Sequence, residues 1–275
     1  MDALYHYTDL NAFLSIIQNK KLWLTGAHNL NDHQEINWTI NKIRKKLSEI
    51  EIKHGRNRAE EIWLLLNHSA AVPYICSLSS EPDLLSQWRA YGKDGTGVSI
   101  GFKKSALPIS EHLPTMTAAL KNSTSLQQII YDEKNQDAMI DQLLAPALAA
   151  GEVDDAAHLA MSMAASNLRG LSSIFKNAAF YEEKEWRIIH IPMIMGKQNS
   201  NEAKILLSIS PPKYRVTASK LITYFEYAFQ ADESEVFAEL ILGPKCELSS
   251  YDLSILLTER GLENLPVRRS SASYR

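Results

Sequence analysis

The chain has 275 residues, 45% hydrophobic and 22% charged, with a net charge of −3 and an isoelectric point near 6.3. That composition is ordinary for a globular protein, and it excludes both a disulfide-dependent miniature fold and a general basic nucleic-acid binder. Two isolated cysteines (Cys76 and Cys246), a start without a basic or apolar leader, and no window approaching about 18 consecutive apolar residues lead us to expect a cytoplasmic protein with no export signal and no membrane span.

Ala3 to Thr8 reads as a strand, and Asp9 as the N-cap of a helix carrying Leu10, Phe13, Leu14 and Ile17 at helical spacing. Lys21 to Thr25 reads as a second strand. Gly26 to Glu35, polar and rich in Asn and Asp, reads as a loop. Helices follow over Ile36–Glu51 and Arg58–Ala71, the first with a basic run at Lys42, Arg44, Lys45 and Lys46 that suits a solvated face. Pro73–Leu78 is a buried strand, Asp83–Tyr91 a short helix capped by Asp83, Gly92–Gly97 a turn, and Val98–Phe102 another strand. Asp137–Arg169 is alanine-rich and helical with a break near Gly151, a helical insertion over about 132–180 on one side of the sheet. Strands return at Glu185–Ile191, Ile205–Ile209, Leu221–Phe229 and Val236–Leu242; Ser250–Arg260 is a helix stopped by Gly261, and the last strand lies near Leu265–Arg269. Strands and helices mix without βαβ alternation. The expected fold is therefore α+β in a single domain over 1–275, a mixed, largely antiparallel central sheet with surrounding helices.

Four fragments could carry chemistry. His6-Tyr7-Thr8 ends a strand before a capped helix; His6 and Thr8 share one face and Tyr7 takes the other. In the loop Asn29–Glu35, Asn31 and Asp32 shape the backbone, and Glu35 caps or lines a pocket. His28, Asp32, His33 and Glu35 match no defensible metal spacing, so no metal is expected. Gln87-Trp88-Arg89-Ala90-Tyr91-Gly92 sets two aromatics and an arginine beside a tight turn, though its glycines fit neither dinucleotide nor phosphate-loop patterns. Finally, Glu183, Glu185 and Arg187 share one face of a strand; a glutamate there needs a partner or a task, and Arg187 is the candidate partner. Cys76 precedes Ser77 in an apolar strand and reads as an inert thiol.

Taken in order, Leu4–Thr8, Asn31-Asp32 with Glu35, Trp88 and Tyr91 before Gly97 and Gly101-Phe102, then Glu185-Trp186-Arg187, resemble the bacterial family catalogued as domain of unknown function 2971. Gly243-Pro244 and Tyr274-Arg275 resemble its closing pattern, while His33 departs from its usual proline. More distantly, the His-x-Thr strand, capped helix and second strand resemble the opening of ADP-ribosyltransferase-like domains, and that likeness implies their fold. It further implies NAD as substrate, with His6 on a ribose hydroxyl, Thr8 in support and Tyr91 or Trp88 stacked on nicotinamide. Glu185 would be the catalytic carboxylate, alone or paired with Glu183. Tyr7 and Arg187 would complete the cofactor set, with Asn31, Asp32 and Glu35 in the same pocket. The acceptor would be an unknown protein or nucleic acid, in a setting of bacterial defence or toxin action. Two alternatives stand beside it: a non-catalytic nucleotide or nucleic-acid-binding module, and a metal-dependent nuclease using Asp32, Glu35 and Glu185. On the enzyme reading, His6, Tyr91 and Glu185 line one cleft, and Glu185→Gln spares the fold while removing activity.

Overall fold

Local rules visible in the sequence set the first three elements. β1 (Ala3–Thr8) alternates, sending Leu4 to the main core and Tyr5 and Tyr7 to a small cluster with Trp88 and Ile241. The Asp9 carboxylate accepts from the Ala12 N–H at 2.8 Å, capping α1 (Leu10–Asn19), which turns Phe13, Ile16 and Ile17 inward. Lys20 adopts a left-handed conformation that ends this helix and leads into β2 (Lys21–Gly26). The computed structural model describes residues 3–29, 33–54, 56–68, 72–108, 110, 112–114, 122–149, 155–196, 203–217, 219–229 and 233–272.

After β2 come α2 (His33–His54), α3 (Arg56–His68), β3 (Tyr74–Ser79), α4 (Leu85–Ala90), β4 (Val98–Lys103) and β5 (Thr124–Gln128). The alanine-rich helices α5 (Glu133–Ala149) and α6 (Asp155–Leu171) precede β6 (Glu185–His190), β7 (Met193–Gly196) and β8 (Ala203–Leu207). The chain closes with β9 (Lys213–Thr217), β10 (Lys220–Ala228), α7 (Glu233–Val236), β11 (Phe237–Leu242), α8 (Ser250–Glu259) and β12 (Val267–Arg269).

The main sheet runs β12-β11-β4-β1-β3-β2-β10-β9, with β6 joined to β3 and β5 to β6, while β7 and β8 form a separate pair. Every pairing is antiparallel except β11 with β12, so the mixed, largely antiparallel sheet expected from the pattern is what the chain forms. Successive residues of β3 enter different cores. Tyr74, Cys76 and Leu78 join α1 and α8 on one face, and Ile75 joins α2, α3, α5 and α6 on the other. The alanine-rich insertion is thus not alone on its side of the sheet; it packs with α2 and α3 into one helical layer.

β3 is also where the sheet divides. One of its edges pairs with β6 along all six residues. The other meets β2 at Tyr74 and Ile75 and β1 at Ser79, leaving Cys76–Leu78 without a ladder partner on that side. Close approach fixes the neighbouring turn: a Cβ on Gly97 would lie 2.0 Å from the Thr8 carbonyl oxygen, so only glycine lets β4 start against the end of β1.

Several expectations need correction. The loop expected over Gly26–Glu35 is shorter, because β2 keeps Gly26, a 3-10 turn takes Ala27–Asn29 and α2 starts at His33. Asn31 and Asp32 lie outside the described residues, as does the side chain of Glu35, although its backbone is in the first turn of α2. Asp83 does not cap α4. That helix starts at Leu85 after Leu84, with no side-chain cap. Asp83 instead accepts from Trp88 Nε1 at 2.7 Å and from the backbone and hydroxyl of Ser271, so a carboxylate read as local punctuation ties down the C-terminal segment. Strands β5, β7 and β9 were missed. Thr-Ser-Leu-Gln-Gln of β5 has one large apolar residue and no apolar alternation, and β9 is an edge strand whose alternating Tyr214 and Val216 are exposed and so mark no core face.

Candidate functional site

Where β1 and β2 part around β3, two cavities open and share His6, Tyr7, Ser77 and Tyr91 in their walls. The larger, about 310 Å³, reaches α1 at Ala12 and Ser15, β2 at Leu22, Trp23 and Thr25, and β9 at Arg215. The smaller, about 60 Å³, is bounded by Tyr5, Gln87, Glu183 and Glu185. His6, Tyr91 and Glu185 therefore line one cleft, the arrangement the enzyme reading requires.

His6 is held by the break in the ladder. Its Nδ1 donates to the Ser77 carbonyl at 2.9 Å, satisfying one of the unpaired β3 groups and fixing the tautomer. Nε2 makes no hydrogen bond among the described residues and keeps its lone pair for a ligand. Burial holds the imidazole below its ordinary pKa despite that hydrogen bond, so the ring is neutral. Thr8 lines the larger cavity beside it. Tyr91 is 40% exposed and presents a ring at the shared rim.

Tyr7 lines both cavities with its hydroxyl engaged by the backbone, whereas Trp88 is positioned differently from its expected role. The Tyr7 hydroxyl donates to the Glu81 carbonyl at 2.7 Å and accepts from the Leu84 N–H at 2.9 Å. Its ring meets Trp88 edge-on at 4.8 Å. Trp88 is fully buried and occupied by Asp83 through its indole N–H, so it has no face left for a nicotinamide ring. Of the two aromatics considered for stacking, Tyr91 alone remains.

The glutamate end is an ion-pair cluster. Glu185 starts β6 after a 3-10 turn over Ala178–Glu183 and a left-handed Lys184, so Glu183 is not on the strand it was expected to share. Arg187 grips Glu185 with Nε at 2.6 Å and Nη2 at 2.9 Å, and its Nη1 donates to the Ser173 carbonyl at 3.0 Å. Lys176, itself buried, reaches Glu183 at 2.6 Å and Glu185 at 3.1 Å. Gln136 holds the Lys176 carbonyl at 3.0 Å, and the Tyr131 hydroxyl accepts from the Glu185 N–H at 3.0 Å. Burial alone would raise the Glu185 pKa; the charges of Arg187 and Lys176 outweigh it and hold the carboxyl at about 2. Arg187, expected to touch the cofactor, lines neither cavity, because it stands behind Glu185. The carboxylates face the space and their cations back them.

Thr25, Ser77, Arg215 and Lys176 were not singled out from sequence. A lone lysine in the apolar run Ile174-Phe175-Lys176 was the one available signal, since buried lysines need partners. Cys76 is buried, and burial pushes its thiol up to about 12, which disfavours the reactive thiolate. Among the described residues no group of three or more His, Cys, Asp or Glu side chains could hold a metal ion, and no helix is long and apolar enough to cross a membrane.

The model of the family described as Protein of unknown function (DUF2971) matches residues 87–188, which take in Trp88, Tyr91, Gly97, Gly101 and Glu183–Arg187. That match agrees with the resemblance carried by the fragments from Trp88 to Arg187. No curated protein and no solved structure matches the chain.

Proposed function

We propose that this chain, which carries the DUF2971 pattern over 87–188, binds an NAD-type nucleotide in the cleft at β1 and acts as an ADP-ribosyltransferase on a protein or nucleic-acid acceptor. One observation carries the reading: His6, Tyr91 and Glu185 border a single cleft, with the carboxylates Glu183 and Glu185 at one end and the cation Arg215 at the other. A ligand that is cationic at its nicotinamide and anionic at its pyrophosphate matches that polarity. The large cavity sits at the low end of the roughly 300–1,000 Å³ usual for ligand pockets, enough for one nucleotide half. The 60 Å³ space is worth about two waters, so a nicotinamide ring belongs at the shared rim against Tyr91.

The chemistry follows from charge. Cleaving the bond between nicotinamide and ribose builds positive charge on the sugar, and a carboxylate fixed beside it favours the transition state over the ground state. On this reading His6 Nε2 accepts from a ribose hydroxyl, a role supported by the Nδ1 contact to the Ser77 carbonyl that leaves Nε2 as the acceptor. A second reading, binding without turnover, is favoured by one feature: both oxygens of Glu185 are already engaged by Arg187 and Lys176.

Calorimetric titration of NAD and of nicotinamide into the wild type and His6→Ala tests the site. NAD binding that weakens at least tenfold in the variant supports it, and no binding to the wild type at millimolar ligand sinks it. Labelled-NAD transfer then separates the readings: binding with no transfer and no hydrolysis selects the module.

A further inference from the structure

We infer that Arg215 is the phosphate-recognising residue of the cleft, so that the site selects phosphorylated ligands over their dephosphorylated forms; this rests on the nucleotide reading above. Arg215 comes from the edge strand β9, far in sequence from the motifs that carry the family resemblance and outside the matched segment. Its guanidinium makes one long hydrogen bond, from Nη2 to the Thr25 hydroxyl at 3.3 Å, and lies 5.7 Å from the centre of the Trp23 ring. Nε is buried without a hydrogen-bond partner among the described residues.

Such a group calls for an anion. A buried donor left unpaired is costly, and a planar guanidinium offers two parallel donors matched to a phosphate. No carboxylate lines the 310 Å³ cavity among the described residues. Glu226, the acid on the neighbouring strand β10, has one oxygen taken by Lys21 at 2.9 Å and the other by Lys213 at 2.9 Å. The hydroxyl side chains in the walls, Tyr7, Thr8, Ser15, Thr25, Ser77 and Tyr91, carry no charge to pair with it, and burial holds the His6 pKa below its ordinary value. Trp23 packs against Tyr224 with ring centroids 4.5 Å apart and planes tilted by 30°, which steadies the ring beneath the guanidinium. A phosphate fits the wall beside Arg215; a second cation does not.

The test titrates NAD, ADP-ribose, nicotinamide riboside and inorganic pyrophosphate into the wild type, Arg215→Gln and Arg215→Lys, with circular dichroism to confirm folding. NAD and ADP-ribose should lose roughly ten- to a hundredfold in affinity in Arg215→Gln, with partial recovery in Arg215→Lys, while the riboside is unchanged between proteins. Pyrophosphate binding to the wild type but not to Arg215→Gln, with no NAD binding, keeps the anion site and overturns the NAD reading. Equal NAD binding by the wild type and Arg215→Gln overturns the Arg215 assignment and leaves the NAD reading intact. No binding by any of the four ligands overturns both.

Discussion

Arg187 and Arg215 are the same residue type put to opposite uses. Arg187 stands behind the small cavity with its donors spent on Glu185 and Ser173, in a cluster completed by Lys176, Glu183 and Tyr131. Arg215 stands in the wall of the large cavity with one long hydrogen bond and no acid partner among the described residues. Buried charges that satisfy one another specify a structure, whereas a charge left unsatisfied at a cavity wall specifies a ligand. The glutamate end is therefore rigid before any ligand arrives, and the arginine end is incomplete until one does.

Substitution should separate the two ends most sharply in stability. Arg187→Met leaves Glu185 short of its main cation and should cost about 3–5 kcal/mol, whereas Arg215→Gln should stay within about 0.5 kcal/mol; urea unfolding of the two variants compares them directly. If both cost the same, the contrast is wrong. By the same logic Glu185→Gln, expected from sequence to spare the fold, should be destabilising, because it strips the partner from two buried cations.

Acid offers the next largest effect. Burial is the main cause that lowers the His190 pKa to about 4, and its Nδ1 donates to the Ser123 carbonyl at 3.1 Å. The unfolded chain takes that proton near 6.5 and the folded chain only near 4. Stability held above pH 6.5 should then fall across that window by up to about 3 kcal/mol. Glu185, held at about 2 against an ordinary 4.5, adds a loss at lower pH, from about 4.5 downward. Thermal midpoints recorded from pH 7 to 4 for the wild type and His190→Gln should diverge in slope, and parallel curves would refute the assignment.

Asp83→Asn weakens a charged anchor for Trp88 and the C-terminal segment and should cost about 1–3 kcal/mol, with increased proteolysis after Ser270 as the specific sign. The smallest effect is expected from Tyr91→Ala: its ring is at the rim, so unfolding should barely change while NAD affinity drops by about 0.5–1.5 kcal/mol, measured by titration. A change in stability without a change in binding would place Tyr91 with the core aromatics and not with the ligand.

Much of the fold was legible because it is local. The Asp9 cap, the stop at Gly261, the alternation of β1 and the buried apolar run of β3 are rules of neighbouring residues, and all appear as read. The candidate site was legible only in part. His6 and Tyr91 line the cleft as the fragments implied, but Trp88 and Arg187 are turned away from it, each claimed by a partner that spacing cannot reveal. Asp83 bonds to Ser271 across 188 positions, and Arg215 reaches Thr25 across 190.

Sequence alone determined where the first helix starts and the last one stops, which β1 residues share a face, and that a histidine lies near the end of the first strand. Tertiary structure alone decided where the sheet divides, which glutamate is locked, and that an edge-strand arginine completes the cavity. The reason is physical: caps and periodicity act over one turn or one pleat, whereas burial and charge pairing depend on which distant strands share an edge.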